Sequence, residues 1–223
     1  MTKKNPTDPT TARRWLALPV AVSLLCAAAS IGATAWPEFN EALRYDRAAI
    51  AAGQWWRLVT AHVAHLNAMH AAFNIAGLLI VALIFGDVFS ARRQAGALLV
   101  AAVAVDLGLW LAHPEIGDYA GLSGALHGLF AAGALTWAIA GDHADSRVHR
   151  AWGVALLAGL VAKLALEAQG HDFWLGASGI RVVMAAHRWG ASGGLAFALL
   201  LNARFAWRAL RTSDAARRER NRE

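Results

Sequence analysis

Apolar residues fall into six runs, Trp15–Ala35, Ala68–Gly86, Ala95–Ala112, Leu122–Ala140, Ala151–Leu166 and Val182–Ala203, separated by segments in which charged residues collect. Read as helices, these runs are long enough to cross about 30 Å of hydrocarbon. The pattern predicts an all-α membrane protein, a bundle of six transmembrane helices. The first run follows Lys3, Lys4, Arg13 and Arg14 and closes on Ala33-Thr34-Ala35, so it also fits a cleavable signal peptide. Its length, and the even number of spans it completes, favour a retained helix. The expected division is an N-terminal segment 1–14, a six-helix domain 15–207 and a basic tail 208–223.

Composition agrees with burial in lipid. Of 223 residues 57% are hydrophobic, 16% are charged and the mean hydropathy is +0.39, values outside the range of a water-soluble globule. The single Cys26 lies inside an apolar run, which excludes a disulfide framework and a thiolate metal site and leaves it as a packing residue. The net charge of +6 does not indicate a nucleic-acid partner, because the basic residues gather in the short connections. Fifteen of the 21 Lys and Arg lie in the N-terminal segment, the Arg92-Arg93 turn, the Arg147/Arg150 turn and the tail from Arg204 to Arg222. Arg44, Arg47, Arg57 and Arg181 lie on the other side. The excess of positive charge places both termini in the cytoplasm. After Leu210 the tail holds little apolar content and reads as a disordered or surface-lying extension. Between Trp36 and Leu66, Trp55-Trp56-Arg57 and alternating apolar positions suit a segment at the membrane interface.

Polar residues inside the spans are few, and polar groups in a membrane face a protein interior or a cavity. His70 and Asn74 share one face of the second span. Gly121-Leu122-Ser123-Gly124 opens the fourth, with His127 one turn below Ser123. Ala186-His187 opens the sixth, with Gly190 and Gly194 below the imidazole on the same face. Small residues at this spacing let membrane helices approach backbone to backbone, and Gly124 and Gly128 offer a matching strip, so spans four and six are expected to pack and bring His187 to Ser123. Counted from the cytoplasmic ends at the helical rise, Ser123, His187 and Asn74 all stand at about 26–27 Å, near the outer side. These groups suit acyl transfer, with Ser123 as nucleophile and His187 as general base and acid. The Ser123 N–H, Asn74 and His70 would stabilise the oxyanion. No Asp or Glu is near either residue in sequence, so a dyad without a third member is expected. Asp106 and Lys163, at similar depths, are expected to form an ion pair between spans three and five, with Glu167 the competing partner of Lys163. A metal site is not supported, since there is no His-Glu-x-x-His pattern.

Trp56-Arg57, His70-x-x-x-Asn74, Gly121-x-Ser123-Gly124 and Ala186-His187-x-x-Gly190-x-x-x-Gly194, in this order on these spans, resemble the rhomboid family of intramembrane serine proteases. The resemblance covers nearly all six spans. It implies Ser123 as nucleophile, His187 as base, His70 and Asn74 as oxyanion stabilisers, and no metal or organic cofactor. Many rhomboids carry an aromatic residue, usually Tyr, where this chain has His127; Gly-Leu-Ser-Gly-x-x-His-Gly is similar to the rhombosortase branch. That likeness implies a bacterial inner membrane with the site towards the periplasm. It also implies substrates that are exported proteins with a C-terminal Gly-Gly motif, a single membrane helix and a basic tail. His127 would stack on or hydrogen-bond His187 as the Tyr would, or bond a backbone carbonyl as a buried His. Two other classes stay open: a non-catalytic rhomboid-like client-binding protein, which typically lacks the Ser or the His, and a transporter, for which repeat symmetry and a charged midplane site are not evident.

Overall fold

The computed structural model describes residues 9–139, 146–171 and 183–220. Lys3, Lys4, Arg181 and Arg222, used above for topology, lie outside them, as do Ala140, which closes the fourth run, and Val182, which opens the sixth. In chain order the elements are α1 (Pro9–Ala35), α2 (Pro37–Leu43), β1 (Tyr45–Asp46), α3 (Arg47–Ala51), α4 (Arg57–Thr60), α5 (Ala68–Ile84), α6 (Ala91–Ala112), β2 (Asp118–Tyr119), α7 (Ser123–Ile139), α8 (Ser146–Ala168) and α9 (Met184–Arg220).

Six of these helices, α1 and α5 to α9, overlap the six apolar runs, α1, α6, α8 and α9 extending beyond them. Segments Trp15–Ala35, Ala91–Ala112 and Arg147–Ala168 are long and apolar enough to cross a membrane, and α5 and α7 are shorter apolar helices of 17 residues. Large apolar side chains point outward all round the bundle, among them Leu25, Ile31, Leu99, Leu111, Val161 and Leu200. Such a surface is stable against lipid and not against water. The chain is an integral membrane protein.

The helix at the centre is α7, with α9, α6 and α8 against it. Its partner α9 comes so close that a Cβ built on Gly190 would lie 1.9 Å from the Gly124 carbonyl oxygen, and one on Gly194 would lie 1.9 Å from that of Gly128. No side chain fits there, and the obstructing atoms are backbone, so they cannot rotate away. The glycine strips on the two helices are therefore in mutual contact, as the spacing predicts. Below this contact Leu78, Phe85, Phe89, Ala97, Ala101, Leu122 and Leu129 form the main core, which also takes in the fully buried Cys26 as a packing residue. A second, outer cluster of Tyr45, Ile50, Val105, Leu109, Tyr119 and Ala186 supports the loops above it.

Those loops are fastened by backbone acceptors. β1 pairs antiparallel with β2, Tyr45 opposite Tyr119 and Asp46 opposite Asp118, and Arg44 forms an ion pair with Asp118. Arg47 donates to the Leu109 and Trp110 carbonyls and lies 4.6 Å over the Trp110 ring. The sequence-predicted residue Arg57 is buried and donates to Gln54 Oε1 and to the carbonyls of Glu41 and Arg44. Its neighbour Trp56 donates from Nε1 to the Ala42 carbonyl while its ring stays exposed, as do Trp36 and Trp55. Arg57 thus staples the outer loop to itself, a structural role for this pair.

Two expectations are corrected. Lys163 pairs with Glu167 on its own helix, and Asp106 Oδ1 stands 3.3 Å from His62 Nε2, so there is no Asp106–Lys163 pair. Counting the rise gives the height of a residue but not which way it faces. Of the two expectations for the tail after Leu210, a disordered extension is corrected, because α9 runs on as helix to Arg220. From Leu195 to Arg220 it contains neither Gly nor Pro and is rich in Ala, Leu and Arg, which favour helix.

Replacing Gly190 or Gly194 by Val should push α7 and α9 apart, at a cost at or above the roughly 1–3 kcal/mol usual for overpacking. A lower melting temperature in detergent, with lost activity, is the expected outcome; a fully stable and active Gly190→Val protein contradicts the contact.

Candidate active site

Four helix ends, the starts of α5, α7 and α9 and the end of α8, converge with one loop at one end of the bundle. Gly121, just before α7, has φ of +130°, a conformation that side chains other than glycine's rarely adopt. A Cβ there would also lie 2.7 Å from His70 Cε1, so the glycine lets the imidazole sit against the backbone two residues before Ser123. The Gly121 N–H donates to the Ala61 carbonyl at 2.9 Å, and its carbonyl accepts from the buried Tyr119 hydroxyl. Burial pushes the Tyr119 phenol above its ordinary pKa, so it remains a donor. This clamped turn fixes where α7 starts, and Ser123 is its first residue. The N–H groups of a first helical turn have no acceptor within the helix and carry the positive end of its dipole.

His187 lies in the first turn of α9, buried, with Nε2 3.0 Å from Ser123 Oγ. Its ring is stacked on that of His127, centroids 4.0 Å apart and planes inclined by 17°. His127 Nδ1 is 2.7 Å from the Ser123 carbonyl oxygen. Both roles expected for His127, stacking and a carbonyl bond, are therefore filled at once. The bond fixes its own ring, and that ring fixes one face of His187.

The other nitrogen of His187 overturns an expectation. Nδ1 faces both carboxylate oxygens of Glu167, at 3.1 and 3.0 Å, and Glu167 in turn pairs with Lys163. A dyad without a neighbouring carboxylate is not what the fold builds. Glu167 is the penultimate residue of α8 and lies 20 residues before His187, so proximity in sequence could not find it. The available signal was an acidic residue at the end of an apolar run, one turn after a lysine.

On the side of α5, Asn67 caps the helix by accepting from the His70 N–H at 2.9 Å. His70 and Asn74 are both buried on one face, and Asn74 Nδ2 donates to the His70 carbonyl at 2.9 Å. The His70 Nδ1 faces the Leu66 N–H at 3.5 Å, which leaves Nε2 as the proton-bearing nitrogen towards the Gly121 turn. Next to it, burial lowers the His65 imidazole in the preceding loop to about 4, so that ring packs neutral, edge-on to His70 at 5.1 Å.

His127, Glu167 and His187 are the group of three metal-capable side chains found among the described residues, their donor atoms within 4.8 Å of one another. Both nitrogens of His187 and Nδ1 of His127 already have partners, so holding an ion there would break the contacts that join His187 to Ser123 and Glu167. The arrangement suits proton transfer from a serine hydroxyl. A hydroxyl, an imidazole at hydrogen-bond distance and a carboxylate behind it, at a helix start within lipid-facing helices, define a serine-hydrolase-like site in a membrane protein. Residues 52–204 match the Rhomboid domain family, and the chain belongs to that family. A comparison with curated proteins gave no match.

Because His127 presents a flat ring to His187, His127→Tyr should keep much of the activity by preserving the stack, and His127→Ala should lose most of it. Initial rates of peptide-bond cleavage in a membrane-anchored test protein measure this; equal rates in wild type and His127→Ala would remove His127 from the site.

Proposed function

We propose that the chain is an intramembrane serine endopeptidase, with Ser123 as nucleophile and His187 as general base, acting on single-span membrane-anchored proteins. The observation that carries this reading is the 3.0 Å approach of His187 Nε2 to Ser123 Oγ. Membership of a family whose members are usually intramembrane serine proteases supports it. Ser123 Oγ attacks the scissile carbonyl and its proton passes to His187 Nε2. The C–N bond then breaks as His187 returns that proton to the leaving amine, leaving an acyl ester on Ser123. Water, deprotonated by the same imidazole, hydrolyses the ester and restores the hydroxyl.

The oxyanion of each tetrahedral intermediate would be met by the Ser123 N–H and by the His70 and Asn74 side chains. In a site shielded from water one such donor contributes about 2.7–4 kcal/mol. The remaining features follow the same reading: six spans, both termini cytoplasmic, the site on the outer side of a bacterial inner membrane, and a working domain over residues 15–207. His127 in place of an aromatic residue favours the rhombosortase branch and clients with a C-terminal Gly-Gly motif. The alternative of a non-catalytic client-binding protein is less well supported, because it gives no reason for a Ser and a His to meet at 3.0 Å.

Ser123→Ala and His187→Ala should each abolish cleavage of a helix-tailed test protein with little change in thermal stability. Asn74→Ala should leave a reduced, measurable rate, since one oxyanion donor among several is lost. Mass spectrometry of the new chain end reads the result; wild-type turnover in Ser123→Ala sinks the mechanism.

A further inference from the structure

Glu167 is placed where helix energetics alone would not put a carboxylate. It is the last residue but one of α8, at the negative end of the helix dipole, which disfavours an anion. Its pairing with Lys163 at i,i+4 has the basic residue N-terminal, the weaker of the two orders. It is nevertheless buried, at 10% side-chain exposure, and a buried carboxylate within lipid-facing helices persists only where partners compensate it. Among the described residues the partners are two: the ammonium of Lys163 on one side and His187 Nδ1 on the other.

Four side chains from three helices thus form one line: Lys163 and Glu167 on α8, His187 on α9 and Ser123 on α7. A carboxylate can only accept, so the nitrogen that faces it must be the one bearing hydrogen. That sets the neutral imidazole as the Nδ1–H tautomer and leaves the Nε2 lone pair towards Ser123 Oγ, the state a general base needs. When Nε2 takes the serine proton, Nδ1–H keeps donating to Glu167, which stays ionised and faces the new positive charge. Lys163 neutralises the carboxylate in the resting site and prevents it from being stranded. His127 is stacked on the imidazole, so its in-plane nitrogens do not face Nδ1.

We propose that Glu167 is the positioning residue of this site, a carboxylate that fixes the tautomer and orientation of His187 and makes the working unit Ser123–His187–Glu167 in place of a dyad. The inference rests on the protease reading above, and it goes further by adding a third member delivered from a different helix. Since Glu167 contacts His187 Nδ1 and not Ser123 Oγ, its removal is expected to act on the chemical step and not on binding.

With the full chain in detergent, Glu167→Gln and Glu167→Ala should lower kcat at least about ten-fold with KM little changed, the split expected when a base is mis-set; the loss of the equivalent carboxylate in serine proteases reaches roughly 10⁴. Nitrogen-15 NMR of histidine-labelled protein, with His187 assigned by its loss in His187→Gln, should show the proton on Nδ1 in the wild type and that preference lost in Glu167→Ala. Wild-type kcat in Glu167→Ala, or a wild-type His187 protonated on Nε2, overturns the proposal. So does recovery of kcat on adding Lys163→Met to Glu167→Gln, which would mean that the carboxylate only neutralises the lysine. A chain without Ser123-dependent cleavage would overturn the protease reading instead, and the NMR tautomer would then decide the role of Glu167 by itself.

Discussion

The contact on which everything else depends is the one between the backbones of α7 and α9. Ser123 and His187 are the first and fourth residues of their helices, and neither helix brings its partner close except by this packing. Gly124 against Gly190 and Gly128 against Gly194 bring the two backbones into contact at two points of the seam. Packing in lipid gains little from the hydrophobic effect, because lipid is as apolar as the side chains, and so rests on close van der Waals fit. Four glycines supply that fit and thereby fix the Ser123–His187 distance. The pairing costs helix propensity at each glycine, about 1 kcal/mol relative to alanine, which the bundle must offset elsewhere.

Around this seam the site is over-determined. Gly121 and the Tyr119 hydroxyl set where α7 begins, His127 ties its ring to the Ser123 carbonyl and stacks on His187, and Glu167 holds the far nitrogen. Each element contributes one constraint from a different direction. On the proposed protease reading, rigid support of this kind would lower the reorganisation needed when charge develops on the substrate oxygen and on the imidazole. The outer loops are held just as firmly, since Arg44, Arg47 and Arg57 all bind acceptors within the loops or at the end of α6. Their charges serve structure, and Arg57 of the Trp56-Arg57 pair is engaged by acceptors of the loop itself.

Sequence reached whatever depends on local spacing. The six runs became helices because hydrophobic length is a local property, and His70 with Asn74, His187 with Gly190 and Gly194, and Ser123 with His127 share faces because each set lies on one helix. The partner of Lys163 also followed local spacing, being one turn away on α8. What failed needed the third dimension. Asp106 was given the right kind of environment but the wrong partner, because its direction around α6 is set by packing and leads to His62. Glu167 escaped for the same reason: α8 and α9 meet near their ends only in the folded chain, and nothing along the sequence ties position 167 to 187. The helical continuation of α9 is the exception, a local property that follows from the absence of Gly and Pro and not from apolar content.

The central claim is that the fold makes one serine hydroxyl nucleophilic inside a membrane protein. Labelling of the purified chain by a fluorophosphonate, with the adduct located by mass spectrometry, tests it most directly. A single adduct on Ser123, lost in His187→Ala while that variant stays folded, is the predicted result. Labelling that is absent from Ser123 in folded wild-type protein, or that is undiminished without His187, would contradict it.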